Sequence, residues 1–597
     1  MDLLKKLFAL LSRRERRNLY FLFAGVLVMA TLQVASVASI MPFLSVASDP
    51  SLVTEQPYLR WAYEHLGFTS TRLFLIALGV GSLVALTLSN IFIILTRWAT
   101  ERYAWGRNHT LSRRLLRSYL YRPYEYFLTR NSAELGKNIL EEVREITSNM
   151  LKPALRGLAK AIVAVFMIGF LVYFDPVVAL MVALVLGASY VGVYFVVRGQ
   201  LDRQGEVRVE SNTQRYQFVG EAFGGVKEVK IQGKEESFLE QYDAPSKRFT
   251  NSQALYEVIK KIPRYSIEVV AFGGIILIAV YLIAVEENMR QVIPVLGLYA
   301  FAGYRLLPAL QEAFHGIAGA RFNVAALNKL HGDLNLQMES DSERGSTDDI
   351  EPLPLNESLA LRNVSYTYPR AQQPAVRDLS LEIPAQTMTG FVGQTGSGKT
   401  TTVDVLLGLL RPQDGAVEVD GTPLDDQLLP RWKKSIGYVP QDIYMSDDSV
   451  ARNIAFGVPE EQIDLEAVRV AARRAQILGF VENELPEQWR TTVGERGVQL
   501  SGGQRQRIGI ARALYHTPSV LVFDEATSAL DQSTEASVMQ AIYDLDEHLT
   551  ILIISHRLST VQRADTVYML EQGRKVGAGS YEELMSQHSK FRSMALS

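Results

Sequence analysis

The chain of 597 residues contains no cysteine. That absence excludes a disulfide framework, thiolate catalysis and cysteine-ligated zinc or iron–sulfur centres, and it leaves the redox compartment open. An excess of one charge is also missing: 61 Lys and Arg stand against 64 Asp and Glu, for a net charge of −3. A surface built to hold nucleic acid needs a strong basic balance, so no nucleic-acid partner is expected. Long apolar runs are missing from the second half of the chain, but six fill the first, near 19–47, 73–97, 154–174, 177–197, 264–285 and 291–317. Each has the roughly 20 residues that a hydrocarbon core of about 30 Å requires. The first is too long for the core of a signal peptide and lacks a small-residue cleavage pattern, so it reads as a retained anchor.

Lys and Arg set the expected orientation. The N-terminal tail carries Lys5, Lys6, Arg13, Arg14, Arg16 and Arg17, and the connections 97–153 and 198–262 carry 11 basic residues each. The opposite side has only Arg60, Arg72 and Arg290. The positive-inside rule then places the tail, both long connections and both termini in the cytoplasm. Helical periodicity, as in Leu111, Leu115, Leu116 and Tyr119, predicts that membrane helices continue into these connections. Each connection is interrupted, the first at Pro123 before Tyr124, Tyr126 and Phe127, the second at Gly224 and Gly225 within Glu221–Val226.

Residues 355–597 alternate strand and helix patterns. Gly393-Gln394-Thr395-Gly396-Ser397-Gly398-Lys399-Thr400, continued by Thr401, fits the phosphate-binding loop G-x-x-x-x-G-K-[ST] at every position. It follows the apolar run Met388–Val392 and opens a helical one, the context the motif requires. Its backbone amides and the helix N-terminus would face phosphate, Lys399 would reach the β and γ phosphates of ATP, and Thr400 would supply an Mg2+ ligand. Downstream, a β-prone run ends in Asp524 and Glu525. Asp524 suits Mg2+, and Glu525 suits a general base on the attacking water.

Leu500-Ser501-Gly502-Gly503-Gln504 resembles the signature motif of ABC ATPases. That resemblance implies further assignments: Tyr368 stacks on adenine, Gln441 is the Q-loop glutamine touching Mg2+ and water, and Gly494-Glu495-Arg496 precedes the signature. It also makes Ser528-Ala529-Leu530-Asp531 the D-loop and His556 the switch histidine contacting the γ phosphate. Ser501, Gly502, Gly503 and Gln504 close over the phosphate loop of a second ATPase domain, so the resemblance implies a homodimer with two equivalent, hydrolysing sites. Six spans fused ahead of such an ATPase resemble a type IV exporter half-transporter. The expected architecture is therefore a multidomain membrane protein of the cell inner membrane. It has an all-α six-helix transmembrane domain (1–330), an acidic linker (331–356) and an α/β P-loop ABC ATPase domain (357–597), cytoplasmic like both termini. The breaks at Tyr124–Thr129 and Glu221–Val226 would be coupling helices.

The cargo is read from three features. The outer loop Ser48–Arg72 has about 25 residues, and its stretch Pro57–Leu66 places Tyr58, Leu59, Trp61, Tyr63 and Leu66 on a helix suited either to the lipid interface or to packing on the bundle. Arg305 lies about 14 residues into the sixth run, on the order of 20 Å deep, and Glu268 enters the fifth at similar depth. An arginine at that depth calls for pairing with Glu268 or for an anionic ligand. Finally, Ser39-Ile40-Met41-Pro42-Phe43-Leu44-Ser45 and the stretch Gly297–Pro308 resemble the PglK-type lipid-linked oligosaccharide flippases. This implies ATP-driven flipping of a polyprenyl-diphosphate oligosaccharide from the cytoplasmic to the outer leaflet. The alternative is export of lipid A-like lipids or hydrophobic drugs.

Overall fold

A computed structural model describes residues 2–9, 11–174, 176–285, 289–338, 350–494, 497–526, 531–545 and 548–596. Glu495, Arg496, Ser528, Ala529, Leu530, the turn residues Asp175, Glu286 and Glu287, and most of the acidic linker lie outside the described residues. The chain divides into two compact units, Met1–Arg122 with Arg130–Glu343 and Pro123–Thr129 with Arg344–Ser597.

The first unit is helical. Its main elements are Arg13–Ala38, Ile40–Ser48, Thr71–Leu120, a run from Ser132 to Phe174, Pro176–Gly224, Glu235–Val285, Met289–Phe322 and Val324–Met338. Among the described residues four helical stretches are long and apolar enough to cross a membrane: Arg13–Ser48, Thr71–Leu120, Ser132–Phe174 and Ala179–Gly224. The fifth and sixth apolar runs fall on Glu235–Val285 and Met289–Phe322. Thr71–Leu120 has 50 residues, about 75 Å of helix against a hydrocarbon core of about 30 Å. The expected extensions beyond the membrane are therefore real. Gly319 explains one tight helix crossing: an added Cβ there would stand 2.2 Å from the Asn149 carbonyl oxygen, so only glycine lets the two backbones meet.

Two expected boundaries shift. Helix Pro176–Gly224 runs through Glu221, and the short helix of the reversal is Val226–Gln232, closed at Gly233. Helical hydrogen bonding runs unbroken to Gly224, so the break falls at Gly225, the second glycine of the expected pair, and the short helix follows it. Helix Val324–Met338 also runs into the stretch expected to be linker. Leu327, Leu330 and Leu334 give it a buried stripe, and Tyr119 donates to Asp333 Oδ2 at 2.6 Å. On the outer loop, helix Pro57–His65 buries Leu59 against Val46, Val53 and Phe74 while Tyr58, Trp61 and Leu66 stay exposed. It packs on the bundle by one side and offers an aromatic face on the other.

The second unit holds two sheets. Strands β1 (Ser358–Tyr366), β2 (Val376–Pro384), β4 (Asp414–Val419) and β5 (Thr422–Pro423) form an antiparallel sheet in the order β2-β1-β4-β5. The larger sheet runs β10-β9-β3-β8-β7-β6, from β3 (Met388–Val392), β6 (Ile436–Val439), β7 (Val520–Asp524), β8 (Thr550–Ile554), β9 (Thr566–Glu571) and β10 (Arg574–Gly579). Its parallel strands β3, β8, β7 and β6 are fully buried apart from Met388, Ile436 and Tyr438, as a sheet covered on both faces demands. Their C-terminal edge carries the phosphate loop, Asp524, Glu525, His556 and Gln441.

Candidate nucleotide site and membrane charges

The phosphate loop leaves β3 and turns into helix Lys399–Leu406. Gly398 has φ +97°, and a Cβ there would lie 2.5 Å from the Ala375 carbonyl oxygen. A side chain is excluded both by conformation and by space, which keeps the loop backbone bare. Lys399 is buried and donates from Nζ to the carbonyls of Gly393 (2.9 Å) and Gln394 (3.2 Å), so its ammonium spans the mouth of the loop. Burial holds its pKa below the ordinary lysine value, against the opposing pull of Glu525 and Asp524. Ser397 Oγ is buried with no hydrogen-bond partner among the described residues. Gln394, Thr395, Gly396 and Thr400 are exposed around it. A bare loop, a buried ammonium and an unused hydroxyl fit the phosphates of ATP.

Asp524 ends β7 and accepts a hydrogen bond from Tyr438 Oη at 3.2 Å. Burial raises its pKa, opposed by that bond. Next to it Glu525 has φ +48°, held there as its amide donates to the Ile554 carbonyl at 3.0 Å. A non-glycine residue in this region carries about 1–2 kcal/mol of strain, and here the strain aims a carboxylate. Glu525 Oε1 lies 2.5 Å from His556 Nε2. The expected base and switch histidine are thus brought together by the ends of adjacent strands β7 and β8. Gln441 is exposed two residues beyond β6 at the same edge. The carboxylate of Asp524, the hydroxyl of Thr400 and the amide of Gln441 form an oxygen donor set that suits Mg2+.

Tyr368 is half-buried, packed edge-on to Tyr366, and its hydroxyl is 3.0 Å from Thr401 Oγ1. Ser501 caps helix Gly502–Leu514: its Oγ accepts from the Gln504 amide, and Gln504 Oε1 accepts from the Ser501 amide. Gln504 is therefore spent on the capping box in this arrangement. Gly503 lies against Thr534, which hydrogen-bonds to the helix cap Asp531. Among the described residues no hydrogen bond or ion pair joins Ser501–Gln504 to the phosphate loop of the same chain.

Sequence reasoning missed Asp404, on the helix after the phosphate loop. It is buried, and its pKa is pushed up to about 7 by burial first and by the Asp524 charge second. No motif marks it, because the shift comes from packing.

In the membrane unit the expected Arg305–Glu268 ion pair does not form among the described residues. Depth along two helices had suggested it, but depth says nothing of which way a side chain faces. Arg305 lies near the ring of Phe301, 5.9 Å from its centroid, and its buried Nε has no hydrogen-bond partner. Lys160, on the run 154–174, has charges of both signs around it, Arg305, Arg97 and Glu312. Lys160 is legible in the sequence as a lysine within the apolar run 154–174.

A helical membrane unit joined to a phosphate-loop ATPase with a signature helix defines an ATP-driven transporter. The matches agree: residues 376–528 fit the ABC transporter family and residues 19–299 the ABC transporter transmembrane region. The fold is that of a bacterial Atm1-family ABC exporter solved with ATP bound, at TM-score 0.79 over 97% of both chains and 22% identity. An ATP-dependent lipid A-core flippase of Alkalilimnicola ehrlichii is 30% identical over 522 residues, 86% of each chain. The corresponding flippase of Salmonella typhimurium is 40% identical over 233 residues, 39% of this chain and 40% of the relative. The chain belongs to the ABC transporter family, with the type IV exporter fold and ATP hydrolysis coupled to translocation.

Proposed function

We propose that the chain works as a homodimer in the cell inner membrane, flipping a phosphate-bearing, lipid A-like glycolipid from the cytoplasmic to the outer leaflet. The observation that carries this reading is Arg305, a cation in an apolar helix with a buried guanidinium nitrogen that has no hydrogen-bond partner among the described residues. A cation in that setting is costly unless an anion joins it, and a lipid phosphate supplies one. The relatives named lipid A-core flippases support the same cargo class. They favour it over the polyprenyl-diphosphate oligosaccharide implied by the resemblance in residues 39–45 and 297–308.

On this reading, the signature of one protomer closes over the phosphate loop of its partner. Glu525 takes a proton from the attacking water, and His556 holds Glu525 in place. Mg2+, held by Thr400, Asp524 and Gln441, would supply neutralisation of phosphate charge. The short helix Tyr124–Leu128 belongs to the ATPase unit, where Glu125 accepts from the Arg411 amide at 3.3 Å. We read it as the first coupling helix and Val226–Gln232 as the second.

The test is ATP-dependent flipping in proteoliposomes, with lipid A and a polyprenyl-diphosphate oligosaccharide offered in parallel. Lipid A is expected to move, and Arg305→Ala to stop it while basal ATP hydrolysis continues. Movement of the oligosaccharide alone would reverse the cargo assignment.

A further inference from the structure

The cytoplasmic extension of the helical unit buries three charges that neither ATP hydrolysis nor lipid binding uses. Lys137, Glu142 and Arg208 are each 0–1% exposed. Glu142 Oε2 accepts from Arg208 Nη2 at 2.9 Å, its Oε1 lies 3.2 Å from Lys137 Nζ, and that ammonium donates to Thr213 Oγ1 at 2.8 Å. Arg208 also stands over the Phe322 ring, 5.8 Å from its centroid, and Phe322 stacks on Tyr256 at 4.2 Å. Burial works to raise the Glu142 pKa, but Arg208 and Lys137 prevail and hold it below the ordinary carboxylate value.

Stability alone does not explain such a cluster, since apolar residues of similar volume usually hold a buried site at least as well as an ion triad. Two further observations separate this site from an ordinary salt bridge. First, it is incompletely satisfied: Arg208 Nε and Nη1 are buried without hydrogen-bond partners among the described residues, as is Oδ1 of Asn138, next to Lys137 in the chain. Each is bonding capacity that this arrangement leaves unused. Second, the stretch that supplies Lys137 and Glu142 is irregular, with π-helical turns at Asn138–Glu142 and Ile146–Leu151 around one α-helical turn. Wide turns of this kind are rare and concentrate at functional sites.

The cluster is also tied to the end of helix Thr71–Leu120. Asn138 donates to Tyr119 Oη at 3.2 Å, Tyr119 donates to Asp333, and Arg122 donates to the Asp333 carbonyl at 2.9 Å. Arg122 directly precedes the segment Pro123–Thr129.

We propose that Lys137, Glu142 and Arg208 are positioning residues of the transport cycle: the triad holds the bundle in the arrangement seen here and exchanges partners when nucleotide binding rearranges it. The proposal rests on the ATP-driven flippase reading above, and its tests are chosen so that the two fail separately.

Glu142→Gln strands two buried cations and is expected to lower the melting temperature. The discriminating variant is Lys137→Met/Glu142→Leu/Arg208→Met, which should keep the melting temperature and basal ATPase of the wild type yet lose most of the lipid flipped per ATP hydrolysed. Arg208→Lys should retain most of that ratio. An unchanged ratio in the triple variant would overturn the proposal. A measurement independent of cargo and of variant folding is amide hydrogen exchange of the full-length wild type, nucleotide-free against vanadate-trapped. Residues 138–151 are expected to change exchange rate several-fold, and identical rates would overturn the proposal even if no lipid were ever seen to flip. Failure of the wild type to flip lipid, with the exchange difference present, would instead count against the cargo reading.

Discussion

At the nucleotide site Glu525 combines a left-handed backbone with a carboxylate held 2.5 Å from His556. Glu525→Gln keeps the shape and removes the base, so ATP hydrolysis is expected to fall by about 10²–10⁴-fold while ATP still binds. Hydrolysis assays and equilibrium nucleotide binding on the same preparation check both halves. Asp404 gives a second residue-level prediction. Its carboxyl ionises near 3.8 when unperturbed and near 7 in the fold, so the folded state retains a proton that the unfolded chain has lost across that interval. Stability therefore falls as pH rises from about 4 through about 7, by on the order of a few kcal/mol at about 1.4 kcal/mol per unit. Asp404→Asn should flatten this slope and melt higher than the wild type at pH 8, measured with a chelator present so that no Mg2+ offsets the Asp524 charge. The two residues also differ in legibility. Glu525 follows an apolar strand downstream of a phosphate loop and is found from those two patterns together, whereas the Asp404 shift is created by burial that no local pattern records.

Among elements, the long helices and the phosphate-loop strand were legible because hydrophobic periodicity and glycine spacing act within a few residues. What was not legible depends on rotation about a helix axis. Arg305 and Glu268 match in depth along their helices, yet no ion pair joins them among the described residues, where Arg305 lies by Phe301 instead. Leu327, Leu330 and Leu334 likewise extend helix Val324–Met338 into a stretch whose later acidic composition suggested linker. Two glycines test helix packing with opposite signs. Gly319→Leu must displace the Asn149 backbone, an overpacking cost of about 1–3 kcal/mol. Gly332, in a helix and with nothing within 4 Å of an added Cβ, should accept alanine with a gain of up to about 1 kcal/mol. Thermal unfolding of both variants in detergent reads the two shifts.

For the whole molecule, the ATPase half carries its function in local motifs, while the membrane half carries it in the arrangement of a few charges among apolar helices. This is why relatives with ATPase and membrane matches fix the family, while the proposed cargo rests on Arg305. It also explains why short membrane motifs are a weak guide to cargo: motifs of apolar and small residues specify packing more than chemistry. The proposed homodimer rests on one signature and one phosphate loop per chain. The most direct measurement is transbilayer movement of lipid A in proteoliposomes holding the purified chain, with ATP and Mg2+, with Glu525→Gln in parallel. ATP-driven flipping predicts movement that requires nucleotide and disappears in the variant. Equal movement without ATP or in Glu525→Gln, or no movement by an active ATPase, would contradict it.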